Sequence, residues 1–183
     1  NFIKDEASEE FMAQFQRLAG LVDNTIKTAR RIMTDLRPEV LDLLGLVEAL
    51  KSHIKIFSER HQIVCVFESE LTALNIETPR AVALFRILQE SLNNIAKHAM
   101  ATEVIVRLNK IDNSKIEFEI IDNGLGFDMA KKKRNDSYGL IGMKERAFLL
   151  DGDLSITSTL GKGTIVRIVM PYMEELPMSE AIN

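Results

Sequence analysis

Residues 103–121 hold two runs, EVIVRLNKI and KIEFEII, in which apolar and polar side chains alternate, parted by the turn-like Asp112-Asn113-Ser114. A period of two sends successive side chains to opposite faces of a strand. So short a link joins antiparallel neighbours, because a parallel pair needs a crossover of about a dozen residues or more. A doubly wound, all-parallel sheet is therefore excluded. DLSITSTL and GTIVRIVMP form a second hairpin pattern across Gly161-Lys162-Gly163, and QIVCVFES adds another strand.

Helical patterns interleave with these strands. EVLDLLGLVEALKSHIKIFSER follows Pro38 as one helix, TPRAVALFRILQESLNNIAKHAM opens at Thr78-Pro79, and SYGLIGMKERAFLLDG comes later. The expected class is α+β: a two-layer α/β sandwich with a mixed sheet and helices on one face. Ahead of it, Phe15, Val22, Ala29 and Leu36 fall seven apart, with Leu18, Ala19, Ile26, Ile32 and Met33 in adjacent rows. This heptad stripe predicts a helix over about 8–36 that forms the seam of a bundle. Pro38 ends it, by restricting Arg37 and withholding a backbone donor. Three segments follow: 1–37, 38–174 and a loose tail over 175–183.

Composition narrows the class further. With 46% hydrophobic residues in 183, the chain builds a core without cross-links, and a net charge of −4 gives no general attraction to nucleic acid or anionic membrane. The lone Cys65 excludes an internal disulfide and reads as a packed thiol in a reducing compartment. No apolar run reaches the roughly 18–20 residues of a membrane span, and no signal peptide is visible in these residues. The opening NFIKDEASEE lacks a Met, which suggests a fragment.

Four stretches carry chemistry. In RILQESLNNIAKHA, Leu84, Leu88, Leu92, Ile95 and Ala99 form the apolar stripe, and Glu90, Asn94, Lys97 and His98 share another face at i, i+4, i+7 and i+8. A solvated face favours Lys/Glu pairs over amides. An amide oxygen is a neutral, hard ligand for Mg²⁺, which binds few protein groups beside water and phosphate. Spacing alone leaves Asn93 and Asn94 both open. In IDNGLGF, Gly124 and Gly126 permit a tight turn. Asp122 ends a strand, where a carboxylate accepting from an exocyclic amine favours adenine over guanine. A dinucleotide fingerprint fits poorly, since no third Gly or immediate helix follows. In YGLIGMKER, Gly139 and Gly142 precede a helix start suited to an anion. LGKGT closes a hairpin with Thr164, and its plain alternative is a β-turn. The run Lys131–Arg134 reads either as a screen for a triphosphate or as a solvated loop.

Together, in this order, the four stretches resemble the Bergerat or GHKL ATP-binding domain shared by sensor histidine kinases, type II topoisomerases, a heat-shock chaperone and mismatch-repair ATPases. The helix matches the N box, DNGLG the first glycine box, GLIGM the second and GKGT the closing turn, over roughly 80–171. LRPEVLDLLGLVEAL, QESLNNIAKHAMATEV and SYGLIGMKERAFLLDGDLSI look like the nitrate-sensor and desaturase-thermosensor branch of sensor histidine kinases, which extends the resemblance to nearly the whole chain.

The resemblance implies ATP and Mg²⁺ as cofactors. Asn94 would ligate the metal, with Asn93 the weaker candidate. Glu90 would orient a metal-bound water or assist proton transfer, and Lys97 and His98 would approach the phosphates. Asp122 would hold the adenine amino group, supported by Thr164 through water. Gly124, Gly126, Gly139, Leu140, Gly142 and Met143 would shape the pocket and its lid. The implied reaction moves the γ-phosphoryl group to a histidine and then to an aspartate on a response-regulator receiver domain. The implied protein is a cytoplasmic portion of a homodimer without direct nucleic-acid binding, and it meets a membrane only through upstream segments. Residues 1–37 would be part of the dimerisation and phosphotransfer region.

The branch carries its phosphoacceptor as His followed by an acidic residue. His53, His61 and His98 are followed by Ile, Gln and Ala. The expectation is a chain that binds ATP but does not phosphorylate itself. Two rivals use the same pocket: an anti-sigma-factor serine kinase and a non-catalytic nucleotide-sensing module. The long helix and Arg37-Pro38 junction argue against the first. The DNA-linked ATPases need a transducer domain after the pocket, and these 183 residues include none.

Overall fold

The structure, a computed structural model, describes Met12, Gln14 and residues 39–128 and 138–172. The expected heptad helix, apart from helical Met12 and Gln14, lies outside the described residues, as do the Lys131–Arg134 run and the tail. The chain divides into two units, Asn1–Arg37 and Pro38–Asn183, and the second holds the fold described below.

Helix α1 spans Glu39–His61, but not as the single helix expected: Gly45 adopts φ 73° and ψ 172° and breaks it. Glycine enters this left-handed region without the Cβ penalty of other residues. Beyond the break, Leu46, Leu50, Ile54 and Phe57 are buried at helical spacing. Strand β1, Val64–Glu68, follows.

Helix α2, Thr78–Asn94, starts with Pro79 in its first turn and buries Ala81, Leu84, Phe85, Leu88, Ser91 and Leu92. The α period then stops. Ile95–Ala99 form a π-helical turn that ends at Met100 in the left-handed region. A face counted at 3.6 residues per turn therefore holds only to Asn94.

Strands β2 (Glu103–Asp112) and β3 (Lys115–Asp122) make the expected hairpin. Asp112 closes its turn by accepting the Ser114 N–H at 2.7 Å. Helix α3 covers Tyr138–Phe148, and β4 (Asp153–Thr159) and β5 (Gly163–Pro171) complete the structure. The five strands lie in the order β1-β2-β3-β5-β4. β1 is parallel to β2 and every other pairing is antiparallel. This is the mixed sheet expected from the short links.

One face of the sheet is apolar. Val106, Ile120 and Val166 sit in register, as do Leu108, Phe118 and Ile168, and all six are buried with the helices' apolar stripes. The opposite face carries a cross-strand row of Glu68, Arg107, Glu119 and Arg167. Arg107 Nε donates to Glu68 at 2.6 Å. Exposed pairs of this kind contribute about 0–1 kcal/mol each, so the core dominates stability. Cys65 is half-buried against that core, and burial raises its thiol pKa. Among the described residues, no helix is long and apolar enough to cross a membrane.

Candidate functional site

A cavity of about 440 Å³ opens between the sheet and the helices, where β3 ends. Ser91 and Asn94 line it from α2, with Ile95, His98 and Ala99 from the π turn. Ile120 and Asp122 come from β3, Gly126, Phe127 and Asp128 from the loop after it, Leu140 and Met143 from α3, Ile156 from β4, and Thr164 and Val166 from β5. The walls are mostly aliphatic, and the few polar groups converge on them. Such a lining suits a flat ligand with one polar edge and a charged end.

Asp122 is the most constrained of these groups. It is 5% exposed, and on either side it pairs with Val104 of β2 and Thr164 of β5. Its Oδ1 accepts the Gly124 N–H at 2.8 Å. Thr164 donates to the same carboxyl through its backbone N–H and bonds it through its hydroxyl. Burial raises the Asp122 pKa, and the bonds from Gly124 and Thr164 offset that rise only in part.

The two glycine loops are fitted against this strand end. Leu125 donates its N–H to the Ala99 carbonyl at 2.7 Å and accepts from the Gly161 N–H at 2.6 Å. The loop after β3 thus ties to both the π turn and the β4–β5 hairpin. Asn123 points away from the cavity: its Oδ1 accepts the N–H groups of Thr102 and Glu103 at 2.9 and 3.0 Å.

At the far end of the cavity, Asn94 Nδ2 donates to Glu90 Oε1 at 3.3 Å. Its Oδ1 carries no hydrogen bond among the described residues and is free to act as a ligand. The Glu90 carboxylate also lies against Gly139, where a Cβ would sit 2.1 Å from Oε1. Asn93 is exposed and is not part of the lining. Among the described residues, no cluster of three His, Cys, Asp or Glu side chains is arranged to hold a metal.

Of the residues expected from sequence, Asn94, His98, Asp122, Gly126, Leu140, Met143 and Thr164 line the cavity. Glu90 reaches it only through Asn94. Gly124, Gly139 and Gly142 are not among the lining residues, and a Cβ on Gly142 would meet the Arg146 guanidinium at 3.1 Å. Lys97 is exposed and lies outside the lining, although His98 of the same π turn is part of it.

Sequence reasoning missed Ser91, Phe127, Asp128, Ile120, Ile156 and Val166 as lining residues, and placed Ile95 and Ala99 only in the apolar stripe of their helix. The period of two would have found Ile120 and Val166, which lie two residues from Asp122 and Thr164 on the same faces. Ser91, whose hydroxyl reaches Met143 Sδ at 3.6 Å, left no comparable signal.

Residues 80–174 match the family of histidine kinase-, DNA gyrase B- and HSP90-like ATPases. The signal transduction histidine-protein kinase/phosphatase DegS of Brevibacillus brevis is 38% identical over 93% of this chain. The oxygen sensor histidine kinase NreB of Staphylococcus carnosus is 32% identical over 91% of it. The chain spans 44% and 48% of the lengths of these two relatives. Among solved structures, the histidine kinase domain of the blue-light activated histidine kinase of Erythrobacter litoralis superposes with a TM-score of 0.62 over 73% of this chain and 69% of that one. At 18% identity, that likeness is one of fold. The chain belongs to the histidine kinase-, DNA gyrase B- and HSP90-like ATPase family, and its five-stranded mixed sheet with packed helices is that family's fold.

Proposed function

We propose that this chain is the ATP-binding catalytic portion of a two-component sensor histidine kinase. The observation that carries the reading is the buried Asp122 carboxyl at the cavity floor, with Asn94 and His98 on the same wall system. An adenine amine donates to Asp122, supported by Thr164, and the aliphatic side chains of Ile120, Ile156, Leu140 and Val166 enclose the ring. The triphosphate runs toward Asn94. Mg²⁺ suits that end, because the uncommitted Asn94 Oδ1 supplies one hard oxygen and phosphate and water supply the rest. Held there by Asn94, Mg²⁺ would supply charge neutralisation to the phosphoryl group being transferred.

The remaining roles are those that the family resemblance implies. Glu90, hydrogen-bonded to Asn94, orients a water or accepts a proton. His98 and the more distant Lys97 meet phosphate oxygens. Gly124, Gly126, Gly139 and Gly142 let the loops and the start of α3 approach closely. In the reaction, a histidine nitrogen forms a bond to the γ-phosphorus while the bond to the β,γ-bridging oxygen breaks, and ADP leaves. The phosphoryl group then passes to a receiver-domain aspartate. Such transfer depends on positioning and charge neutralisation.

The acceptor histidine belongs to a segment outside these residues. His53 packs on Phe85 at 5.3 Å and His61 on Phe57 at 4.6 Å, while His98 lines the cavity. Residues 1–37 supply part of the dimerisation region of a cytoplasmic homodimer. Titration calorimetry with ATP and Mg²⁺ tests the reading. Saturable heat is expected with ATP and much less with GTP, and a folded chain that takes up neither refutes it.

A further inference from the structure

The sheet face turned away from the helices carries an apolar row beside the charged one. Val66, Ile105, Ile121 and Ile165 stand in register across β1, β2, β3 and β5. None of the four belongs to the core. Val66 and Ile165 are each 38% exposed, and Ile105 and Ile121 are half-buried. A solvated sheet face normally carries polar residues at such positions, and a contiguous apolar row open to water marks an interaction surface.

The neighbouring row fits a second copy of the same surface. Glu68, Arg107, Glu119 and Arg167 alternate in sign across the same four strands. From the other edge the order is Arg, Glu, Arg, Glu, so the row complements its own reverse. A two-fold axis parallel to the strands, midway between β2 and β3, makes that reversal and keeps each row at its own height. It sets Glu68 against Arg167 of the second copy and Arg107 against Glu119, while Val66 meets Ile165 and Ile105 meets Ile121. Moving the axis onto β2 or β3 stacks like charges. An axis across the strands lays each charged residue on its own counterpart, or the charged row on another row.

We propose that this open face is a self-association surface, on which a second copy of the chain docks sheet to sheet about that axis. A two-fold contact requires a self-complementary patch, and packed sheets align their strands within about 30°. Inside one copy Arg107 Nε already donates to Glu68 at 2.6 Å, and Arg167 Nε lies 3.7 Å from Glu119. A guanidinium has five N–H donors, so docking extends these pairs without replacing them. The two rows span about 19 Å across the strands and about 14 Å along them. A patch of that size makes a weak, reversible contact. The cavity lies on the helix side of the sheet, so docking leaves both cavities clear.

Sedimentation equilibrium on the whole chain, from about 10 µM to about 1 mM, tests the proposal. The native mass is expected to keep rising over this range. Arg107→Glu sets Glu on Glu and Glu119→Arg sets Arg on Arg, so either variant alone should lose that rise. An equimolar mixture of the two should regain it, because every Glu then faces an Arg between the copies. Pairs inside one chain do not produce repair by mixing, and any association through residues 1–37 is common to all the samples. Ile105→Thr, which stays β-branched, should weaken the native association about tenfold or more, since the dimer loses that contact twice. Circular dichroism checks that each variant is folded. A native mass that does not rise, single variants that associate like the native chain, or a mixture no different from either variant overturns the proposal.

Discussion

A Cβ placed on Gly163 would stand 1.8 Å from the carbonyl oxygen of Asp122, in a backbone held at φ 83°. Gly161, two residues earlier in the same turn, has φ 75° with nothing within 4 Å of the equivalent position. The pair separates conformational strain from steric contact. Gly161→Ala should destabilise by about 1 kcal/mol, the cost of a left-handed backbone. Gly163→Ala should lose on the order of 3 kcal/mol or more, because strand β5 must move away from β3. Urea midpoints of the two variants check the difference.

Asn94 and Asn93 are chemically identical neighbours, one lining the cavity and the other exposed. Asn94→Ala should weaken Mg-dependent ATP binding about tenfold or more, roughly 1.4 kcal/mol. Asn93→Ala should stay within about twofold, since exposed substitutions of this kind change little. Calorimetry with and without Mg²⁺ decides it, and equal losses would undo the assignment of Asn94.

Asp122 gives the binding a pH dependence of known sign. Its pKa is raised by burial, and only the ionised form accepts from an amine. ATP affinity should therefore fall as pH drops through that raised value, and Asp122→Asn should flatten this limb while reducing the preference for ATP over GTP. Stability moves the other way. A carboxyl whose folded pKa is raised contributes most below its unfolded pKa, and that contribution is lost as pH rises through the folded value. Relative to the native chain, Asp122→Asn should become more stable as pH climbs through that range, which denaturant titrations at several pH values will show.

His53 provides a test of the core. Burial first, then the charges of Arg60 and Arg86, hold its pKa below the usual imidazole value. Its contribution to stability is present above the unfolded pKa and is lost as pH falls through the folded one. An NMR titration should find its midpoint below about 6.5, and Arg86→Gln should move it upward.

Incubation of the chain with γ-labelled ATP should leave no acid-labile, base-stable label, because none of His53, His61 and His98 is followed by an acidic residue. A peptide carrying the His-acidic helix of a relative should take up label in trans. Tight ATP binding with no transfer at all would favour a nucleotide sensor.

The strands were legible because alternation at a period of two survives in any context where one face is covered. Asp122 and Thr164 were legible as residue types at strand ends. Two features were not. The Gly45 break sits inside a good helical pattern, and the π turn after Asn94 leaves no mark in the apolar spacing.

Asp122 closes β3, the middle strand of five, with a hydrogen-bonded neighbour on each side, whereas Asn94 is the last residue of a helix whose next turn is already irregular. Amide exchange in β3 should need nearly complete unfolding, while the Asn94 end opens by fraying. In the proposed reading, discrimination between bases is thus mounted on a slowly opening part of the molecule, and the grip on phosphate on one that can yield without disturbing it.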